Sequence, residues 1–396
     1  HMKINIFFLC LFFIITITGA YYLYIERVSY SAGALISASF ICLLYFLKYK
    51  YIRSNKSYSI YFIILILIFV FSLYSMILFE WFQFERFFLS YLVFLICIMA
   101  AFLFVKFSLK VNDAKVYHYV SIIFYLVLFD GIIYSIKKFI FLNKAPFLIF
   151  FPEMSHFSLM LLPLLLFKLF TSKKNIYNYM LISISLLLAL SCESLTLLTG
   201  TILVMLIYSI KKSLIFFLIP FAITLSIIGT ENLNYFLDRL NFVDETNISL
   251  LVFLSGWERA YLNLFEQGGL GIGFNQLGFE GQIGFYQIKL ESLNLSNLNL
   301  KDGGSLAPKI ISELGILGLT LVIIYMFLLT KIVYKIKKKE LKFNYLDTFY
   351  VSIFVMSFVN LFFRGSGYFS PIMFLFLCSI VYFNERNINN FKIVSK

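Results

Sequence analysis

Long apolar runs, nearly free of charge, set the limits on what this chain can become. Each has about 20 residues, the length that crosses the hydrocarbon core of a bilayer as a helix. They fall at roughly 4–25, 28–47, 59–79, 87–107, 117–136, 150–170, 177–192, 195–210, 213–230, 308–333, 345–363 and 368–384. The runs are continuously apolar and lack the two-residue alternation of a membrane barrel, so helices are expected. Charged residues make up 13% of the chain, about half of the roughly 25% found in soluble domains. The expected fold class is all-α: a polytopic integral membrane protein with about twelve transmembrane helices.

The first run follows Lys3 without a convincing small-residue cleavage site and reads as a retained span, with Met2 as the expected natural start. Cys10, Cys42, Cys97, Cys192 and Cys378 lie within or beside apolar runs and show no metal-type spacing. They read as small buried hydrophobes, not as disulfides.

Orientation follows from the Lys and Arg residues of the short connections. "KYKYIRSNK" (48–56), "KFSLKVNDAK" (106–115), the Lys pairs at 173–174 and 211–212, and "KIVYKIKKKELK" (331–342) fall on one face. That face is expected to be cytoplasmic and to hold both termini. The net charge of +13 is then a property of topology and gives no reason to expect nucleic acid as a partner. The opposite face carries the long connections, one at about 137–152 and one at 231–307. The expected organisation is a single membrane domain with nine spans in 1–230, a large periplasmic loop capped by short helices in 231–307, and three spans with a cytoplasmic C-terminus in 308–396.

Polar groups that a bilayer makes costly are the natural candidates for function, and here they gather on the loop-bearing face. "FPEMSHFS" (151–158) sets Glu153 and His156 three apart, on one face of a helix. The alternative is an ordinary helix start, with Pro152 at the first position and Glu153 complementing the dipole. "SCESLTLLTG" (191–200) reads either as a polar site around Glu193 or as a tight turn between paired helices. "SGWERA" (255–260) and "FRGSGYFSP" (363–371) place Arg259 beside Trp257 and Arg364 near Tyr368. Guanidinium forks match phosphate oxygens, although an interfacial arginine can also simply snorkel. "KDGGSLAPKIISELGILGL" (301–319) holds Asp302, Lys309 and Glu313, the last two spaced to pair along a helix.

"GGLGIGFNQLG" (268–278) has the look of a phosphate-wrapping loop, but it reads GxGxG without the third glycine of a dinucleotide site and without a following strand–helix unit. No P-loop, HExxH, DxD or Cys/His metal spacing occurs. Neither cofactor nor metal is expected. The glycines remain open to two readings, a tight turn or a close approach of backbone to a glycan or lipid pyrophosphate, with Asn275 and Gln276 offering amides to sugar hydroxyls.

Four stretches, "FPEMSHFSLMLLPLL", "GWERAYLNLFEQGGLGIGFNQLG", "DGGSLAPKIISELGILGL" and "NLFFRGSGYFS", occur in this order around a large late loop. In them the chain resembles the Wzy family of O-antigen polymerases, within the superfamily that includes the O-antigen ligases. Methionine in "PEMSH" stands where that family more often has proline, leaving Glu153 and His156 in place. The resemblance implies a glycosyltransferase of the bacterial inner (cytoplasmic) membrane, acting at its periplasmic side without nucleotide or metal. Its donor and acceptor are glycans linked to undecaprenyl pyrophosphate, and a Wzz-type chain-length co-polymerase is the implied partner. On that reading Arg259, Lys309 and Arg364 bind pyrophosphate, and Glu153, His156 or Asp302 accepts the proton of the attacking hydroxyl. Trp257 and Tyr368 stack on sugar rings, with Asn275 and Gln276 nearby. A ligase is the near alternative, disfavoured by the absence of histidine from 231–307. A lipid-linked oligosaccharide flippase is the alternative from another class, disfavoured by the scarcity of mid-span charge.

Overall fold

The computed structural model describes residues 5–26, 30–48, 59–140, 148–208, 236, 239, 247–266, 268–338 and 343–386. Its helices are α1 (Ile6–Tyr21), which runs into a π-helical turn (Tyr22–Glu26), α2 (Ser31–Lys48), α3 (Ser59–Leu78) and α4 (Phe84–Ser108). They continue with α5 (Asp113–Ile140), α6 (Met154–Thr171), α7 (Asn175–Ser191) and α8 (Leu195–Tyr208). After these come α9 (Ile248–Glu266), α10 (Phe285–Ser292), α11 (Leu306–Lys337), α12 (Tyr345–Phe362) and α13 (Pro371–Arg386).

Among the described residues eight helices are long and apolar enough to cross a membrane: α1 with its π turn, α2 to α6, α11 and α12. Helices α7 and α8 are apolar but shorter, and α13 has 16 residues. The expected span at 213–230 lies outside the described residues, as do 231–235 and most of 237–246. The chain is therefore an all-helical protein of the membrane-spanning class.

Burial ranks the helices. In α6 and α12 the apolar windows are 78% and 83% buried inside the protein, against 22% for α3. The first two form the centre of the bundle and pack directly on each other, while α3 keeps most of its surface for lipid. Elements beside α12 also fix its start. Asn344 and Asp347 form a reciprocal capping box, and Asp113 at the head of α5 accepts from Tyr345 N (3.1 Å) and Leu346 N (3.0 Å). Side-chain acceptors thus satisfy the free amides of a helix terminus. All five cysteines are buried free thiols. At "SCESL" the turn reading holds for the backbone: Ser194 N closes on Ala189 O, Glu193 sits at φ 52°, and its carboxylate pairs with Lys138 at 3.1 Å.

The long α11 is broken at Gly315, where φ is 57° and ψ −131°. In a straight helix the Ile316 amide would donate to the Ser312 carbonyl. Here Ile316 N donates to Gly269 O at 2.7 Å, and Ser312 O accepts instead from Ile272 N at 3.0 Å. The neighbouring Glu313 carbonyl accepts from Gly273 N at 2.9 Å. The glycine-rich loop thus enters the bundle and supplies the hydrogen bonds that the kinked helix lacks.

Candidate active site

One cluster forms where α6 begins. Asp130 on α5 accepts from Ile149 N (2.8 Å) and Phe150 N (3.2 Å), fixing the chain that leads into α6. Glu153 occupies the N-cap position, its carbonyl accepting from Phe157 N, while its side chain makes no capping bond and turns away. That carboxylate meets Arg364, from the turn after α12, with Nη2 3.0 Å from Oε2. Ser155 Oγ donates to the same oxygen at 2.9 Å. Arg364 Nη1 reaches Asn299 Oδ1 at 3.4 Å. His156 Nδ1 lies 2.7 Å from the Tyr30 hydroxyl, and the Tyr30 ring stacks on Tyr22. His156 Nε2 has no hydrogen-bond partner among the described residues. Burial and the neighbouring Glu153 carboxylate push the Tyr30 phenol well above its usual range, so it stays a neutral hydroxyl beside the imidazole.

A short segment between α10 and α11 ties this cluster to the other candidate cations. Arg259 Nη1 donates to Leu300 O at 2.7 Å, and Lys309 Nζ donates to the next carbonyl, Lys301 O, at 2.7 Å. Gly365 N closes the segment from the other side, donating to Gly304 O at 3.0 Å. Asp302, half exposed, stands 3.9 Å from Lys309. Arg259 is 4% exposed and Lys309 3%, whereas the Arg364 side chain is 24% exposed. Of the three predicted phosphate ligands, only Arg364 therefore presents its charge at the surface. The other two lie behind the segment and hold its carbonyls. Burial pulls the Arg259 guanidinium down to about 10, partly countered by Glu313, so it remains charged at neutral pH.

Glu313 organises the interior side. It is fully buried and accepts from Asn275 N (2.8 Å), Leu277 N (3.0 Å) and Tyr368 OH (2.7 Å), with Lys309 Nζ at 4.0 Å. The expected Lys309–Glu313 pairing is thus one edge of a larger node. Asn275, at φ 58°, donates through Nδ2 to Ser90 Oγ at 2.6 Å, and Arg86 Nε donates to its carbonyl at 2.8 Å. Gln276 exchanges hydrogen bonds with the Gln83 backbone (2.9 and 3.2 Å). Phe274 N bonds Ser72 Oγ, and its ring stacks on Tyr368 at 4.8 Å.

Asn275, Gln276 and Tyr368, expected to touch a glycan, are accordingly buried, with their polar groups engaged inside the protein. The glycines serve close packing of backbone on backbone. A Cβ on Gly271 (φ 76°) would stand 2.5 Å from Gly315 N and 2.6 Å from Glu313 O. Gly271→Ala is expected to destabilise the protein by about 2 kcal/mol or more, from left-handed strain and overpacking, read as a lower unfolding midpoint in detergent. Trp257 stays partly accessible, with its ring face-to-face on Phe362 at 6.2 Å.

The Glu153 ion pair carries a pH signature. Burial raises the Glu153 carboxyl, but His156 and Arg364 outweigh it and hold the group below the ordinary carboxylate range. A folded pKa below the unfolded one adds stability that is complete above the unfolded value, about 4.3. That contribution disappears as pH falls through the folded value. The thermal midpoints of wild type and Glu153→Gln should therefore differ only by the small margin of a surface ion pair, most near neutral pH, and converge below about pH 4. A gap that widened in acid would contradict this assignment.

Sequence reasoning missed Tyr30, Ser155 and Asn299, and it saw Glu313 only as a partner for Lys309. A signal for Glu313 was present: a carboxylate inside an apolar helix, two residues before a glycine, needs buried donors. Nothing local marks Tyr30 or Asn299, which reach the site from distant connections. No protein-family model matches the chain, and no curated protein or solved structure matches it either.

Proposed function

We propose that this protein is a membrane glycosyltransferase of the polymerase kind, joining undecaprenyl-pyrophosphate-linked oligosaccharide units into O-antigen or a similar surface polysaccharide. The observation that carries the reading is the meeting of Glu153, Ser155, Asn299 and Arg364, drawn from the start of α6, the 299–304 segment and the turn after α12, with His156 in the same first turn of α6. It combines a partly exposed guanidinium with carboxylate and imidazole groups at one end of an apolar bundle. Those are the groups a metal-independent transfer from a lipid pyrophosphate requires. In this reading the bundle has twelve spans in the bacterial inner membrane, both termini are cytoplasmic, and the loop at 231–307 is periplasmic.

In the reaction, a hydroxyl of the acceptor glycan attacks the anomeric carbon of the donor. The new glycosidic C–O bond forms as the bond from that carbon to the pyrophosphate oxygen breaks. The hydroxyl proton passes to Glu153, His156 or Asp302. Lipid pyrophosphate departs with the bonding electrons, and Arg364 stabilises the charge that grows on it. Arg259 and Lys309 act from behind, fixing the carbonyls of residues 300 and 301 so that Asn299 and Asp302 face the reacting groups. Trp257 supplies an aromatic face for a sugar ring.

The test is purified full-length protein with a defined lipid-linked repeat unit, its lipid products separated on a gel. A ladder of multiples is the expected result. Transfer only to a lipid A core, or movement of the lipid across the bilayer without transfer, would replace the polymerase with a ligase or a flippase.

A further inference from the structure

Lys168 lies far from this cluster, one turn before α6 ends at Thr171. A lysine so close to a helix end ordinarily snorkels to the membrane surface. Here the residue is 2% exposed, and its ammonium turns into the bundle toward α5. Nζ donates to Tyr117 OH at 3.2 Å and Ser121 Oγ at 3.1 Å. It also stands 4.6, 5.3 and 5.8 Å from the ring centres of Tyr117, Tyr125 and Tyr177. Among the described residues no carboxylate pairs with it. Hydroxyls and ring faces satisfy the donors, but the positive charge is left without a counter-charge in a region where charge is costly.

The outer wall of this cage lies at the exposed surface of the apolar bundle. Tyr125 and Tyr177 touch through their hydroxyls, 2.6 Å apart, in an exposed position. One phenol must donate to the other, which leaves a single O–H free to donate outward. Exposed Lys173 and Lys174 lie on the adjoining connection between α6 and α7. Away from it, Phe129 on α5 (60% exposed) and Met180 on α7 (59%) continue the wall with apolar side chains. These lie one helical turn from Tyr125 and about one from Tyr177. A hydroxyl with a free O–H, two exposed ammoniums and a buried positive charge therefore stand beside a surface suited to acyl chains.

We propose that the Tyr125–Tyr177 wall over Lys168 is a binding site for the phosphate of an anionic phospholipid, with its acyl chains laid against α5 and α7. The adjoining apolar strip is what favours a lipid over free phosphate. The site is separate from the proposed reaction centre and does not depend on its chemistry.

The test is thermal unfolding of the purified full-length protein in detergent, titrated with phosphatidylglycerol, phosphatidylcholine or inorganic phosphate. Phosphatidylglycerol is expected to raise the midpoint saturably, and the other two are expected to leave it nearly unchanged. The double variant Tyr125→Phe/Tyr177→Phe should need about tenfold more phosphatidylglycerol for half its effect, the size of one hydrogen bond to a charged group. Lys168→Met should show a similar loss, and if it fails to fold the tyrosine variant decides alone. An identical phosphatidylglycerol response in wild type and the double variant would overturn the site, even if the variant's starting midpoint were lower. An equal response to inorganic phosphate would overturn the assignment to a lipid.

Discussion

Arg364→Ala is expected to reduce polymerising activity by about 100- to 1000-fold, the usual cost of removing one preorganised group that stabilises transition-state charge, while the protein accumulates normally. Activity falls because Arg364 is the accessible cation of the three candidates and bridges Glu153 and Asn299. Stability changes little because the Glu153 side chain is 53% exposed, so water can replace its lost partner and the pair behaves as a surface ion pair. Arg364→Lys keeps the charge but loses the planar fork that spans two acceptors, and is expected to recover only part of the activity. The measurement is the rate of ladder formation at matched protein levels. Full activity in Arg364→Ala would remove this residue from the reaction and with it the reading of the cluster.

Glu313→Ala should act on stability and on activity together. The carboxylate is the shared acceptor for two loop amides and the Tyr368 hydroxyl, with Lys309 at its edge. Its removal leaves those donors buried without an acceptor and takes from the buried ammonium one of its two neighbouring carboxylates, a loss of about 3–5 kcal/mol. Glu313→Gln keeps a carbonyl acceptor of the same shape and should be milder. Two readouts check this: the unfolding midpoint in detergent, and limited proteolysis within 268–304, where Glu313→Ala should be cut much faster than wild type. An unchanged cleavage rate would mean that Glu313 does not hold the loop.

Much of the architecture was legible in the apolar runs, because a bilayer permits few alternatives to a continuous helix and run length translates directly into span length. The ends of α4, α6 and α12 fall within a few residues of where hydropathy placed them. The α11 kink was not legible. Gly315 in "SELGILG" looks like any small residue in a membrane helix, and its left-handed backbone is explained only by a loop that arrives from residues 269–273. For the site, Glu153, His156, Arg259, Asp302, Lys309 and Arg364 stood out as polar residues at helix mouths. Their division into an exposed cluster and a buried scaffold did not, since it depends on which side chains find backbone carbonyls. The glycine-rich loop shows the ambiguity most clearly. Glycine is what a chain needs to approach a phosphate closely and equally what it needs to approach another backbone, and Gly271 against Gly315 is the second case.

The bond from Ile316 to Gly269 has a consequence for how the molecule is made. One rung of a membrane helix belongs to a stretch of chain that is synthesised earlier and that reaches it from outside the helix. Until the loop arrives, α11 can satisfy Ile316 N and Ser312 O only by running straight through Gly315, because lipid supplies no substitute partners. Kinking of the helix and closure of the loop are therefore one event. In hydrogen exchange the amides of Ile272, Gly273 and Ile316 should open together with a single free energy, a cooperative unit shared by a helix and a loop.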